Sequence, residues 1–128
     1  MKKLLWILAF VPLLASCSKN NEDSNLNKEY QWVVENIDGT WSEISYYNSS
    51  YNSSISIHPN FRSKYIFKGN ILDIIESNGE TKHLSFEVIN EMVTYIVIDG
   101  KKYLVASVNE QEEVITLYRY KQLKKCED

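Results

Sequence analysis

Residues that anchor chemistry are scarce in this 128-residue chain, which has two cysteines, two histidines, two prolines and four glycines. His58 and His83 have no second histidine or cysteine at metal-ligand spacing, which argues against a zinc site. The glycines never cluster into a phosphate-binding loop, and no serine sits in a nucleophile-elbow context. Carboxylates such as Glu76 and Glu80 flank a turn, where a solvated charge is the ordinary state. No catalytic residues, cofactor site or metal site are therefore expected, and the chain is not read as an enzyme. Positive charge is also short: 14 Lys and Arg against 17 Asp and Glu give a net charge of −3. Nucleic-acid partners need clustered Lys and Arg, so they are excluded as the expected class. Long apolar runs are absent too. The longest, Leu4–Leu14, is about half of the ~20 residues a membrane-spanning helix requires.

That short run has a context of its own. Lys2 and Lys3 precede it, and Leu14-Ala15-Ser16-Cys17 follows it: a charged start, an apolar stretch, then small residues and a cysteine. The segment resembles the lipobox of bacterial lipoproteins. The resemblance implies a signal peptide over 1–16 and a mature chain starting at acylated Cys17. Loss of Lys2 and Lys3 would take the net charge to about −5, which favours no basic docking on anionic lipid. Attachment would come from the lipid, and two or more acyl chains anchor firmly where one does not. Ser18, rather than an aspartate, follows the cysteine, so the resemblance implies the outer membrane, with the face of that membrane left open. A thioether-linked Cys17 offers no thiol, which leaves Cys126 as a lone thiol.

Residues 17–27 are polar apart from Cys17 and Leu26 and read as a lipidated flexible tether. In 28–37 the spacing of Tyr30, Val33, Val34 and Ile37 makes one apolar stripe, and Asn27 suits a helix cap, so a short helix is predicted. From Gly39 the texture turns to β. Strands are predicted over 40–47, 53–58, 62–68, 71–77, 81–89, 92–98, 101–108 and 113–120, separated by turn pairs such as Gly69-Asn70 and Asp99-Gly100. The remainder, 122–128, reads as a charged tail.

The turns predict a register. Asp99-Gly100 pairs Tyr95 with Leu104, Asn90-Glu91 pairs Phe86 with Tyr95, and Gly69-Asn70 pairs Tyr65 with Ile74. Loops at 78–80 and 109–112 pair Ile74 with Leu84 and Leu104 with Leu117. One face then carries Tyr65, Phe67, Leu72, Ile74, Leu84, Phe86, Val88, Val93, Tyr95, Val97, Leu104, Ala106, Ile115 and Leu117. A slip of one residue would turn over every side chain beyond it. Eight meandering antiparallel strands with one apolar face abolish their edges by closing into a barrel, so the fold class is all-β.

Gly39-Thr40-Trp41 after a short helix, followed by this meander, resembles the start of a lipocalin-like domain, here over 28–121. The resemblance implies barrel closure through Trp41, with Arg119 in the last strand packed over it. It also implies a binding module for a small apolar or amphipathic ligand. Tyr65, Phe67, Phe86 and Tyr95 are the expected ligand-lining residues, as a shallow pocket near the mouth. The alternative is a filled barrel that serves as an envelope interaction protein, either subunit or inhibitor, without a small-molecule ligand. Eight strands allow either outcome. The stretch Tyr46–Ser54, with three tyrosines among Asn and Ser, has the amphipathic chemistry of a recognition loop or of a lid on the mouth.

Overall fold

The computed structural model describes residues 21–126, with side chains from Lys28 onward. The expected leader and lipobox, with Cys17, lie outside the described residues. One helix, α1 (Asn21–Asn36), precedes nine strands: β1 (Gly39–Asn48), β2 (Ser53–Ser56), β3 (Lys64–Lys68), β4 (Ile71–Ile75), β5 (Thr81–Glu91), β6 (Val93–Ile98), β7 (Lys101–Asn109), β8 (Val114–Leu117) and β9 (Lys121–Lys125). Every ladder is antiparallel, and β1 pairs with β9, so the sheet is a closed eight-stranded barrel. Successive parts of one edge of β1 pair with β3 and with β2 (Gly39–Ser42 and Ser45–Asn48 respectively), and among the described residues β2 pairs with no other strand. This is the all-β meander barrel expected from the sequence, with three corrections.

The helix starts at Asn21 rather than Lys28, so residues 21–27 extend α1 instead of forming tether. No glycine or proline in that stretch interrupts a helix once one has nucleated. Val33 and Ile37, four residues apart, are buried against the barrel with Trp41, and α1 packs on β5 and β6. Trp41 Nε1 donates to Ile37 O at 2.8 Å, which fixes the corner between helix and β1. Gly39 turns that corner at φ 134°, in a region costly for any other residue. Beneath α1, Thr94 is fully buried. Burial raises the Glu29 carboxyl, and the Thr94 hydroxyl opposes that shift, although the pair falls short of a full hydrogen bond.

The second correction concerns the tail. Residues 122–125 are not solvated tail: with Lys121 they form β9, the strand that closes the barrel. Leu123 is fully buried and lies across from Glu43 in β1 and Ile115 in β8. The turn before it hides in an unbroken β-like run, Leu117-Tyr118-Arg119-Tyr120. Arg119 makes the reversal with φ 51°, a left-handed conformation that costs a non-glycine residue about 1–2 kcal/mol. Arg119 therefore does not pack on Trp41. Its guanidinium lies 5.9 Å from the Tyr47 ring centre and 5.3 Å from that of Tyr118. The cation over Trp41 is Lys125, at 5.3 Å, and its ammonium also donates to Asn36 O and Asp38 O.

The third correction is the register of β6. The predicted pairs Tyr65–Ile74 and Tyr95–Leu104 are present. The chain reverses at Met92 (φ 71°) instead of at Asn90-Glu91, so Phe86 faces Ile98 rather than Tyr95. The shift is odd, and β6 turns over: Thr94, Ile96 and Ile98 point inward while Val93, Tyr95 and Val97 do not. β7 follows, burying Val105 in place of Leu104 and Ala106. A bulge between Val105 and Ser107 then restores the predicted side for Ile115 and Leu117. The slip of two residues between β4 and β5, where Leu72 rather than Ile74 faces Leu84, is even and leaves the faces unchanged.

Candidate functional site

The barrel interior is packed rather than hollow. Trp41, Leu72, Ile96, Ile115 and Leu123 are fully buried, and Phe67 meets Phe86 edge to face at 4.8 Å and 78°. Phe67 and Phe86 are thus core residues that fill the centre and do not line a calyx. Tyr95 lies on the outer surface, where the Lys102 ammonium sits 5.4 Å from its ring centre. Of the four expected lining residues, only Tyr65 reaches a polar recess.

That recess opens at the end of the barrel away from α1, where β4 hands over to β5, β6 to β7 and β8 to β9. It has a volume of about 220 Å³. Ile74, Leu84 and Ile98 contribute apolar surface, Tyr65, Tyr103 and Tyr120 contribute phenols, and Lys82, Lys101, Lys121, Glu76 and Asp99 contribute charge. Tyr103 and Tyr120 stack with ring centres 4.1 Å apart and planes 16° apart. The Tyr46–Ser54 stretch does not contribute to the lining, so it is no lid over this recess.

Charges around the recess are mostly paired. Lys121 Nζ lies 3.2 Å from Glu43 Oε1, with Glu43 only 7% exposed, and Lys82 Nζ lies 3.4 Å from Glu76 Oε2. Ser63 Oγ donates to Glu76 Oε1 at 3.1 Å. The Lys121 ammonium also sits 5.4 Å from the Tyr65 ring centre and 5.0 Å from that of Tyr120. Burial, followed by the nearby Glu43 carboxylate, pushes the Tyr65 hydroxyl far above the ordinary phenol range, while the Tyr120 hydroxyl works the other way. Tyr120 is raised as well, first by burial and then by Tyr65, against the opposing charge of Lys121. Both phenols therefore stay protonated at any physiological pH and can donate a hydrogen bond.

A groove of about 360 Å³ lies between α1 and the barrel, lined by Tyr30, Val34, Ile37, Phe86 and Val88 among others. Among the described residues no three metal-ligating side chains converge, and His83 Nδ1 instead lies 2.6 Å from Asp73 Oδ1. Sequence reasoning missed Tyr103, Tyr120 and Lys121. Tyr103 went with the turned-over register of β7, and the other two belong to a turn and strand that carried no turn residue. The alternation of Leu123 with polar neighbours in Lys121-Gln122-Leu123-Lys124 was the available signal. No protein family, curated protein or solved structure matches the chain.

Proposed function

We propose that this is a non-catalytic, lipid-anchored protein of the bacterial outer membrane whose barrel binds a small amphipathic molecule at the tyrosine-lined recess. The observation that carries the reading is the convergence of three phenols and an apolar floor in a recess of about 220 Å³. For scale, a dry engineered cavity of about 150 Å³ admits benzene. A guest the size of a single substituted ring fits here. A wholly apolar guest does not suit the charged rim, and a deep calyx has no room beside Phe67 and Phe86. Cofactor chemistry has no part in the reading. The lipoprotein reading rests on Leu14-Ala15-Ser16-Cys17 alone, and the binding reading on the recess in a lipocalin-like barrel.

Binding predicts a rise in melting temperature, because a ligand of the native state stabilises it by RT ln(1 + [L]/Kd). Aromatic and aliphatic amphiphiles of one-ring size should raise it for the native sequence and not for Lys101→Glu with Tyr103→Ala. An unchanged melting temperature across such a panel would remove the small-molecule reading. Fatty-acid labelling that persists in Cys17→Ser would remove the anchor.

A second reading, an envelope interaction protein, draws on the exposed aromatics of the β1–β2 and β8–β9 turns. Tyr51 is 73% and Tyr118 53% exposed, and Arg119 lies over both Tyr47 and Tyr118. Tyrosine and arginine are enriched among the residues that carry most of the binding energy at protein contacts.

A further inference from the structure

Among the described residues, the closed barrel leaves one strand with a free edge. There β2 pairs only with β1, through Ser45↔Ser56, Tyr46↔Ile55, Tyr47↔Ser54 and Asn48↔Ser53. Ile57 N–H donates to Ile44 O at 2.9 Å, so residue 57 faces β1. Backbone groups alternate along a strand, so Ser53 and Ile55 also face β1, while the N–H and C=O groups of Ser54 and Ser56 point away from it. Natural edges are commonly blocked by shortness, lysine, proline, a bulge or a covering loop, and β2 is short, at four residues. Residues 46–57, Tyr-Tyr-Asn-Ser-Ser-Tyr-Asn-Ser-Ser-Ile-Ser-Ile, contain no charge and no proline. Ser53, Ser54 and Ser56 are exposed, and Ile55 is half-buried.

We infer that β2 is a self-pairing edge, and that its partner is β2 of a second copy of this chain, antiparallel about a two-fold axis through Ile55. The register closes on itself. Ser54 and Ser56 both turn their hydrogen-bonding groups outward, so Ser54 of one copy exchanges both bonds with Ser56 of the other. Ile55 then meets its own counterpart in the wide pair, where side chains come closest, at a Cα separation of about 4.5 Å. Tyr46 lies across from Ile55 on β1. The axis therefore carries a continuous row, Tyr46–Ile55–Ile55–Tyr46, of cross-strand apolar contacts. The chain as a whole is negative, at −3, yet no like charges meet within this uncharged segment. Such an isologous contact closes at two copies and does not propagate. The paired strands are short, and a lasting complex buries about 1,200 Å² or more, so the dimer is a reversible one and its test is capture rather than stability.

The test uses the full chain in its membrane, in a Cys126→Ser background, with a single cysteine introduced and mild oxidant added. Ile55→Cys should give a covalent dimer of this chain, because the wide pair satisfies disulfide geometry. Ser53→Cys, which lies across from Ile57 in this register, should stay at the level of the Cys126→Ser parent. Adding Ser56→Pro to Ile55→Cys should return the dimer to that level too. The lost N–H points away from β1, and an edge strand tolerates proline, so the melting temperature reports whether the fold survives. A monomeric Ile55→Cys would overturn the inference, as would equal cross-linking at Ser53→Cys. So would capture of a different protein, or a dimer undiminished by Ser56→Pro in a folded chain.

Discussion

Leu123→Ala tests whether the last residues close the barrel. Leu123 is fully buried and sits on the seam, across from Glu43 on one side and Ile115 on the other. Truncation to alanine removes about three carbons' worth of buried surface at roughly 0.8 kcal/mol each, near 2.4 kcal/mol. The vacated space adds to that cost, because barrel strands tied on both edges cannot collapse into it. Buried Leu→Ala changes span about 2–5 kcal/mol, and a seam position belongs near 3–4. For a domain of about 100 residues each kcal/mol lowers the melting temperature by roughly 4–8 °C, so a fall of more than ~12 °C is expected. Lys124→Ala is the control: Lys124 is exposed, and its ammonium donates to Glu112 O at 2.8 Å. It should change stability by no more than about 0.5 kcal/mol. Urea unfolding followed by tryptophan fluorescence measures both variants. A Leu123→Ala that unfolds at the same midpoint as Lys124→Ala would refute the assignment of 121–125 to the barrel.

Three further outcomes follow from the same structure. Trp41→Ala should cost about 3–5 kcal/mol, whereas Arg119→Gly should be neutral or gain up to ~1 kcal/mol by relieving the left-handed residue; equal losses in urea unfolding would restore Arg119 to the closure. Tyr65 and Tyr120 have folded-state values raised above the ordinary 10.0, so the stability they supply is complete below pH 10 and declines as pH rises beyond it. Phenolate absorbance during alkaline unfolding should show that decline, and Tyr65→Phe should flatten it; a native-sequence profile that stays level above pH 10 would contradict the buried phenols. Glu29, raised above 4.5 by burial, opposes folding as it ionises, so Glu29→Gln should be more stable than the native sequence at neutral pH and lose that advantage in acid. A melting-temperature difference that does not shrink on acidification would exclude ionisation as the cause.

The sequence by itself determined the class of fold and most of its strands. Turn pairs such as Gly69-Asn70 and Asp99-Gly100 mark reversals because their backbones accept positive φ cheaply, and the structure puts turns at both. Alternation settled the faces of β3, β4, β5 and β8, where one side of each strand is the more polar, in β4 through Asp73 alone. It failed in β6, Val-Thr-Tyr-Ile-Val-Ile, because both faces are apolar enough to be buried. There the choice fell to contacts outside the strand: the helix over Thr94, and the positions of Ile96 and Ile98 in the core. Only the tertiary structure could reveal the turn at Arg119, since its residues favour extended backbone and the strain is offset by the pairing of β9 with both β1 and β8. The recess depended on the same two decisions. Tyr103 faces it because β7 turned over with β6, and Tyr120 and Lys121 face it because the chain doubled back to close the sheet. Local propensity reads a few residues at a time, whereas closure is a condition on the whole sheet.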